Sequence, residues 1–442
     1  MIHPTSPTTG RTLCTDLPTR LEGRVTVAGW VHALRLQRAM QFLVLRDHTG
    51  QVQVTHRRDG GELEALLDSL TPESAVRITG RVVTAPQVKL GGLEIVPERV
   101  EVLNRAETPL PVDDRTGPEQ RLDWRFLDVR RRAAAQLLFA VQTTFEQAVR
   151  EYAVAEGCTE MHTPKLMGAA SESGAEVFRL GYFDRSAYLA QSPQFYKQMA
   201  VAAGIDRVLE IGPVFRAEPS YTSRHATEFT GLDVELAWTD GVEDVMAFEE
   251  AMLAHAVGRV AEAHGEAVRE VFGVEVVVPQ VPFPRLTMAE AQEVLRAGGW
   301  DPEGQKQDLD PDGERRIAAY ARERFGHEFL FVTHYPAAIR PFYHRRPEGR
   351  PDLTLSFDLL WKGLEVTTGA QREHRSEVLL AQAAEKGMET GPMREYLDVF
   401  RFGCPPHGGF GAGLARLLMV MLGLESIREA VFLFRGPNRL TP

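Results

Sequence analysis

The sequence has 442 residues, of which 43% are hydrophobic and 25% are charged. These proportions are typical of soluble globular chains, and they exclude a largely disordered or fibrous protein. The length is sufficient for at least two domains, since single domains commonly contain about 100–200 residues.

Neither a membrane segment nor a cysteine framework is indicated. No run approaches the roughly 18 consecutive apolar residues that a spanning helix needs, and residues 1–5 are polar, unlike a signal peptide. Cys14, Cys158 and Cys404 are isolated in the sequence, so they predict neither a set of disulfides nor a zinc cluster. We expect a cytoplasmic protein that does not bind membranes.

The negative charge is unevenly distributed along the chain. The whole sequence carries −11, but residues 1–108 contain 13 Lys and Arg against 12 Asp and Glu, so the rest of the chain carries −12. The first segment is therefore repelled less by a phosphate backbone.

Residues 1–108 are predicted to form a small β-barrel. Asp47–Gly50 is a turn sequence, in which Gly50 can adopt positive φ. Five short β-like runs in about 80 residues are typical of an OB-fold. These runs cover residues 25–31, 42–46, 52–54, 75–83 and 93–102.

A proline-containing stretch without apolar periodicity, residues 109–130, is predicted as an interdomain hinge. Residues 131–442 follow as a second domain. It opens with apolar residues spaced three and four apart between 137 and 152, which predict an amphipathic helix. It ends with a predicted glycine-rich turn, residues 408–413, and an apolar helix. Residues 241–330 are predicted to be a mostly helical, insertion-like region, and they contain no recognisable motif.

Two separated motifs resemble those of a known enzyme family. Phe215-Arg216-Ala217-Glu218 with the following Arg224-His225, and Gly409-Phe410-Gly411-Ala412-Gly413-Leu414-Ala415-Arg416, are similar to motifs 2 and 3 of class II aminoacyl-tRNA synthetases. Their order, their spacing and the N-terminal barrel resemble the aspartyl, asparaginyl and lysyl subgroup. The resemblance implies an α+β fold: an OB-fold barrel followed by a catalytic domain with an antiparallel sheet flanked by helices. Pro164 resembles the motif 1 proline, which implies a homodimer.

The resemblance implies an ATP site built from arginines. Adenylate formation joins a carboxylate to the α-phosphate of ATP, so two anions must be held together, which fixed guanidinium groups can do. Arg216 and Arg416 would be the catalytic residues, Phe229 would stack on adenine, and Glu218 would read its amino group. The implied ATP-binding residues are Arg216, Glu218, Arg224, His225, Phe229, Glu365, Gly413 and Arg416.

A magnesium site is implied by Glu365 and Thr368. Carboxylate and hydroxyl oxygens that bridge to triphosphate oxygens are the ligands that Mg²⁺ prefers. The family usually has Ser where Thr368 stands and Gly where Ala370 stands. The first difference keeps the hydroxyl, whereas the second adds a methyl group.

The amino acid implied by the resemblance is L-aspartate. Gln191–Gln198 resembles the aspartate-binding segment, and its Lys197 would face a β-carboxylate together with Arg372. A buried carboxylate needs such cations, whereas the amide of asparagine does not. The implied aspartate-binding residues are Glu172, Gln194, Lys197, Asp233, Thr368 and Arg372.

Four barrel residues are implied to bind the anticodon. Phe42 and Gln53 match positions where the family stacks on and hydrogen-bonds anticodon bases. His32 and Pro86 resemble archaeal-type aspartyl relatives that accept both tRNA(Asp) and tRNA(Asn). The resemblance therefore implies non-discriminating charging, with Asp-tRNA(Asn) passed to an amidotransferase.

Four alternatives remain open. The chain could be specific for asparagine, it could charge tRNA(Asp) alone, it could be a paralogue that makes asparagine from aspartate, or it could be a non-catalytic tRNA-binding or scaffold protein. Lys197 with Arg372 argues against the first and the barrel argues against the third. The phosphate-binding residues, including Arg216 and Arg416, argue against the fourth.

Overall fold

The structure, a computed structural model, describes residues 10–169, 176–300 and 307–442. The chain divides into two compact units, residues 1–116 and 117–442. Within the described ranges, no helix combines the length and the apolar character needed to cross a bilayer.

The first unit is a closed five-stranded barrel. Its strands are β1 (Arg24–Leu36), β2 (Met40–Arg46), β3 (Gln51–Arg57), β4 (Ala75–Thr84) and β5 (Leu93–Asn104), with helix α1 (Glu62–Asp68) between β3 and β4. They close in the order β1-β2-β3-β5-β4. Asp47 fixes the turn after β2, since its Oδ1 accepts hydrogen bonds from the backbone N–H groups of Thr49 (2.7 Å) and Gly50 (3.1 Å). The predicted barrel is confirmed.

The second unit combines two sheets with helices. Its strands are β6 (Thr159–Glu160), β7 (Leu166–Met167), β8 (Arg179–Tyr182), β9 (Arg185–Leu189), β10 (Arg207–Phe215), β11 (Glu228–Ala237), β12 (Arg285–Thr287), β13 (Phe329–Thr333), β14 (Ser356–Trp361), β15 (Leu364–Gln371) and β16 (His407–Gly413). Its α-helices are α2 (Pro118–Asp123), α3 (Arg125–Arg131), α4 (Ala133–Ala155), α5 (Gln194–Ala202), α6 (Val242–Phe272), α7 (Met288–Ala297), α8 (Pro311–Phe325), α9 (Ser376–Glu385), α10 (Arg394–Val399) and α11 (Leu414–Leu422).

The main sheet has eight strands in the order β12-β13-β14-β15-β16-β11-β10-β6. The six inner strands are antiparallel, as predicted, but each outermost strand, β12 and β6, runs parallel to its neighbour. The sheet is therefore mixed: its six inner strands form the predicted antiparallel sheet, and one parallel pair is added at each edge. The physical reason is the length of the connections. Helices α7 and α8 link β12 to β13, whereas strands β7 to β9 and helix α5 link β6 to β10, and crossovers of this length return the chain to the same end of the sheet.

The segment 109–130, predicted as a hinge, contains α2 and most of α3, and both helices belong to the second unit. The contacts of Arg125 explain why α3 belongs to the second unit. Its Nη1 lies 2.5 Å from Oδ2 of the buried Asp128, and its Nη2 donates to the carbonyl oxygens of Glu429 (2.8 Å) and Val431 (3.1 Å). Polar contacts to residues about 300 positions away cannot be read from local apolar periodicity.

The region 241–330 forms part of the layers of the second unit. Helix α6 packs on the main sheet through buried residues such as Met252 and Leu253. Strands β12 and β13 form one edge of that sheet, and α7 and α8 cover it with a separate buried cluster around Trp300 and Ile317.

The segment 408–413, predicted as a turn, lies within strand β16 in the middle of the sheet. Its glycines are required by close packing rather than by turn geometry. A Cβ atom on Gly409 would overlap the carboxylate of Glu235, and one on Gly411 would lie 2.9 Å from Oδ1 of Asp233. The glycines therefore make room for two carboxylates on the neighbouring strand β11.

Helix α6 carries a fully buried carboxyl group, Glu249. Burial raises the pKa of Glu249 from its ordinary value of 4.5 to about 8, and the nearby charges of Glu250 and Asp358 add to the shift. The carboxyl group is therefore protonated in the folded protein at neutral pH, whereas in the unfolded chain it would be ionised.

Glu249→Gln is expected to make the folded protein more stable at alkaline pH. Because the native pKa is raised, the contribution of Glu249 to stability is fully present below about pH 4.5 and is lost as pH rises through about 8. The amide does not ionise, so the variant should gain roughly 2–4 kcal/mol over the natural protein at pH 9 and little at pH 5. Thermal unfolding between pH 5 and 9 measures this.

The exposed Glu270 on the same helix provides the control, because Glu270→Gln should leave the pH profile unchanged. Parallel profiles for the natural protein and Glu249→Gln would contradict a protonated Glu249.

Candidate active site

A cavity of about 460 Å³ borders the main sheet and collects most of the residues that the motifs single out. Strands β11, β15 and β16, the loop between β10 and β11, and the start of α11 all contribute to its wall. Glu172 lies outside the described residues, and Lys197 does not reach the cavity surface. The other predicted ligands of ATP, metal and aspartate all line it: Gln194, Arg216, Glu218, Arg224, His225, Phe229, Asp233, Glu365, Thr368, Arg372, Gly413 and Arg416.

The alternation of β11 places Phe229, Asp233 and Glu235 on one face of the sheet. In the neighbouring strands, Gly411 lies opposite both Asp233 and Thr368. Residues more than 130 positions apart therefore meet at the same level of the sheet, and the glycine between them leaves space for the Asp233 carboxylate.

Arg372 and Lys197 share one buried carboxylate, Glu235. Arg372 Nε lies 3.0 Å from Glu235 Oε1, and Lys197 Nζ lies 3.3 Å from Oε2. Burial alone would raise the pKa of Glu235, but the charges of Arg372 and Lys197 hold it below its ordinary value. The motif comparison missed Glu235, although its position two residues after Asp233 on an alternating strand points to the same face.

Three further groups fix the Arg372 guanidinium. It donates to Gln194 Oε1 (3.2 Å) and to the carbonyl oxygen of Gly409 (2.9 Å), and Nη1 lies 3.1 Å from His344 Nε2. Burial and the Arg372 charge lower the pKa of His344 well below its ordinary value, so the neutral ring can accept this hydrogen bond. The cation is thereby held rigidly at the cavity wall.

Lys197 lies behind the cavity wall. Its side chain is 1% exposed, and its ammonium group donates to Asp233 Oδ1 (3.1 Å) and to the carbonyl oxygen of Phe410 (3.0 Å). The physical reason is that helix α5 packs on β11, which directs this long side chain across the sheet. A direct contact of Lys197 with substrate stays a prediction, whereas its contact with Asp233 belongs to the structure.

Arg416, at the start of α11, connects two parts of the cavity wall through hydrogen bonds to backbone carbonyl groups. Its Nη1 donates to the carbonyl oxygen of Glu365 (3.1 Å) and its Nε to that of Arg224 (3.3 Å). The guanidinium therefore ties strand β15 to the loop that follows β10. Nearby, Arg216 lies over the ring of Phe229, with 5.4 Å between the guanidinium carbon and the ring centroid.

His225 is held neutral beside these arginines. Burial and the Arg416 charge lower the pKa of His225. Its Nδ1 lies 2.5 Å from the Thr222 hydroxyl, and its Nε2 lies 3.9 Å from Glu218 Oε2. The ring can therefore contribute a hydrogen bond to an anion without adding a full positive charge.

Each of the five arginines that the described cavity wall contains lies beside a carboxylate. Opposed charges of this kind keep the side chains oriented and neutralised before a ligand arrives. Arg340, Asp358 and Glu314 were not predicted, because they lie outside the recognised motifs. The nitrogen–oxygen distances are 3.8 Å for Arg216–Glu218, 2.8 Å for Arg224–Glu314, 2.5 Å for Arg340–Asp358, 3.0 Å for Arg372–Glu235 and 3.6 Å for Arg416–Glu365.

Glu365 and Thr368 have the character expected of a cation site. Partial burial and the neighbouring Asp358 carboxylate raise the pKa of Glu365 to about 7, and the charges of Arg416 and Arg340 oppose that shift. The Thr368 hydroxyl donates to Glu365 Oε1 at 3.2 Å. No group of three or more His, Cys, Asp or Glu among the described residues could hold a metal unaided.

The barrel presents Phe42 and Gln53 on its outer face, close to each other. Leu43 and Leu45 point into the barrel core, so Phe42 points outward. Phe42 lies opposite Thr55 on β3, two residues from Gln53. Arg35 lies over the Phe42 ring with 5.5 Å between the guanidinium carbon and the centroid. An aromatic ring, a cation and an amide thus share one surface.

The other two predicted anticodon residues have different surroundings. His32 lies at an irregularity in the pairing of β1 with β2, and its Nδ1 is 2.7 Å from Nη1 of Arg46. Arg46 in turn pairs with the buried Glu73 at 2.9 Å. Pro86 is exposed just beyond β4. His32 is therefore anchored in a polar network, whereas Pro86 faces solvent.

Gln53 has a fixed orientation that the sequence does not reveal. Its Nε2 donates to Glu94 Oε2 (3.0 Å) and to the Thr55 hydroxyl (3.1 Å). Thr55 also donates to Glu94 Oε2 at 2.6 Å. These hydrogen bonds orient the side-chain amide and leave its carbonyl oxygen facing away from Glu94.

Family and sequence comparisons agree with this architecture. Residues 117–435 match the profile of tRNA synthetases class II (D, K and N), and residues 25–103 match that of the OB-fold nucleic acid binding domain. An aspartate–tRNA(Asp/Asn) ligase from Aeropyrum pernix is 42% identical over 429 residues, which cover 95% of this chain and 96% of that one. An aspartate–tRNA(Asp) ligase from Thermococcus kodakarensis is 41% identical over 427 residues, with the same coverage of 95% and 96%.

Solved structures show the same overall fold. The asparaginyl-tRNA synthetase of Pyrococcus horikoshii complexed with asparaginyl-adenylate has a TM-score of 0.89 at 33% identity and covers 100% of both chains. A putative aspartyl-tRNA synthetase from Leishmania major has a TM-score of 0.89 at 28% identity, covering 100% of this chain and 97% of its own. With its N-terminal barrel, its mixed sheet and its arginine-lined cavity, the chain belongs to the class II tRNA synthetases of the D, K and N group.

Proposed function

We propose that this enzyme is an aspartate–tRNA ligase, which activates L-aspartate with ATP and transfers it to tRNA(Asp) and also to tRNA(Asn). The observation that carries the proposal is the buried Arg372 guanidinium at the cavity wall, held by Glu235, Gln194 and Gly409. A charged N–H donor held in a fixed position suits a side-chain carboxylate, and Nη1 has a second N–H besides the one directed at His344. The names of the two relatives described above, at 41–42% identity, support the same substrate.

The proposed activation step joins the α-carboxylate of aspartate to the α-phosphate of ATP and releases pyrophosphate. No protein nucleophile is required, so the enzyme must bring two anions together and stabilise the charge that develops between them. Arg216 and Arg416 line the same cavity and are the groups proposed for this task. Asp233 is the proposed partner of the substrate ammonium group, and Phe229 is the proposed platform for adenine.

Mg²⁺ is the proposed metal, held by Glu365 and Thr368. When bound there, it would offset the negative charge of the triphosphate. Asp358 lies opposite Thr368 on the paired strand β14 and places a second carboxylate near Glu365. It therefore supports the same proposal.

Asparagine is the competing substrate, since the asparaginyl-tRNA synthetase of P. horikoshii shares the fold. Arg372 at the amino-acid end of the cavity favours aspartate, because a charged N–H donor attracts a carboxylate more strongly than the neutral amide of asparagine. Pyrophosphate exchange that depends on asparagine instead of aspartate would reverse the assignment.

Charging of two tRNAs tests the proposed breadth of specificity. Purified transcripts of tRNA(Asp) and tRNA(Asn) should both accept labelled aspartate, because His32 and Pro86 match relatives with relaxed anticodon recognition. A tRNA with an unrelated anticodon serves as the control and should remain uncharged. Product on tRNA(Asp) alone would limit the function to the discriminating form, and product on neither would overturn the function.

Three further properties belong to the proposal. Pro164 is exposed, and Leu166 nearby is 49% exposed, which fits a surface that a second copy covers in a homodimer. The enzyme would work in the cytoplasm. Asp-tRNA(Asn) would then be handed to an amidotransferase.

A further inference from the structure

Helix α8 brings a carboxylate, Glu314, into the cavity opposite an arginine of the motif 2 loop. Glu314 Oε2 lies 2.8 Å from Arg224 Nη1, and the two side chains are 8% and 23% exposed. Both residues line the cavity. Glu314 comes from the region 241–330, for which the sequence motifs give no role.

The position of Glu314 is fixed by the start of its helix. Asp310 caps α8 by accepting a hydrogen bond from the Gly313 backbone N–H at 2.7 Å. A Cβ atom on Gly313 would lie 2.9 Å from the ring of Trp300, so the helix start packs directly against that ring. Burial raises the pKa of Glu314, and the Arg224 charge together with a backbone hydrogen bond from Glu365 opposes that shift. The carboxylate is thus rigidly placed.

Arg224 is held differently in its backbone and in its side chain. The Arg224 carbonyl oxygen accepts from Arg416 Nε at 3.3 Å, and the preceding carbonyl, that of Ser223, accepts from the Ile427 N–H at 2.9 Å. These bonds fix the loop but leave the long side chain free to rotate. Its ion pair with Glu314 selects one orientation, toward the cavity, and limits the rotamer freedom that ATP binding would otherwise remove.

We propose that Glu314 is a positioning residue for ATP: it holds the Arg224 guanidinium in place, so that the triphosphate meets a cation that is already oriented. The inference deepens the proposed function and rests on the predicted role of Arg224 in ATP binding. Both side chains line the cavity proposed for ATP, and that of Arg224 is the more exposed, at 23% against 8% for Glu314.

A double-mutant cycle on ATP binding tests the proposal. Glu314→Ala should raise the KM for ATP by about 5- to 10-fold, with little change in the KM for aspartate. In an Arg224→Ala background, the same substitution should change the KM for ATP by less than about 2-fold, because the residue that it positions is gone. Glu314→Gln keeps a hydrogen-bond acceptor and should lie between Glu314→Ala and the natural enzyme. Calorimetric titration with ATP and Mg²⁺ gives a readout that does not depend on turnover.

Asp312→Ala is the matched control, because Asp312 lies on the exposed side of the same helix and pairs with Arg316 at 2.6 Å. It should leave the KM for ATP unchanged. Equal effects of Glu314→Ala with and without Arg224, or a lower KM for ATP, would overturn the inference. A natural enzyme without aspartate-dependent pyrophosphate exchange would instead refute the proposed function, so the two failures can be told apart.

Discussion

Replacing Arg416 with alanine is expected to reduce aspartate-dependent ATP–pyrophosphate exchange by about 100- to 1000-fold. Arg416 projects from α11 into the cavity and connects the carbonyl oxygens of Glu365 and Arg224. Its loss removes a fixed cation from the place where charge develops and releases two walls of the proposed triphosphate site. Arg216→Ala should give a loss of similar size, because Arg216 is the second group proposed to stabilise the charge that develops during activation.

The exchange rate and the thermal unfolding temperature should be measured together for these variants. Arg416 is partly exposed at 24%, so its loss should have little effect on unfolding. Arg401→Ala is a control from a surface ion pair, since Arg401 is 57% exposed and bonds Asp398 at 2.8 Å. It should retain full exchange. Exchange within about threefold of normal in Arg416→Ala would refute the role in adenylate formation.

Replacing Arg372 with alanine is expected to abolish aspartate activation and also to destabilise the fold. Glu235 is fully buried, and the substitution removes one of its two cationic partners. Removing one partner of a buried ion pair typically costs about 3–5 kcal/mol, much of it from the charge left behind. The KM for aspartate should rise at least about 100-fold if any activity survives.

A paired variant separates recognition from stability. Arg372→Gln combined with Glu235→Gln removes both charges, so it should recover more than half of the stability lost in Arg372→Ala. It should still fail to activate aspartate, because no guanidinium faces the side chain. Urea unfolding and pyrophosphate exchange at varied aspartate concentration measure the two effects. Recovery of aspartate activation in the double variant would contradict the assignment of Arg372.

The barrel was predictable because the sequence patterns that specify its strands and turns lie within a few neighbouring residues. Alternation along β2, with Leu43 and Leu45 inward, is visible in the sequence, and Asp47 signals the turn that follows. The motif residues were predictable for another reason. Arg216 and Arg416, which 200 positions separate, were identified because each stands in a segment that resembles a motif of a known family. The roles of the individual residues stay predictions.

Several features could not be read locally. Gly409 and Gly411 resemble turn residues in sequence, but they lie in a strand. Glycine is needed at both positions because Glu235 and Asp233 occupy the space where a side chain would be. The parallel pairing of the two edge strands depends on long connections that carry the chain back to the same end of the sheet. Helix α3 depends on the contact of Arg125 with the carbonyl oxygens of Glu429 and Val431.

The sequence by itself determined the strand pattern of the barrel, the enzyme family and the set of cations available for two anionic substrates. Only the tertiary structure decided how those cations are paired: Glu235 holds Arg372 and Lys197, Glu314 holds Arg224, and Lys197 lies behind the wall of the cavity. The physical reason is the distance along the sequence over which each kind of interaction acts. Alternation and turn chemistry act over a few residues, whereas an ion pair in the cavity forms between residues that meet only when the sheet and its covering helices have assembled.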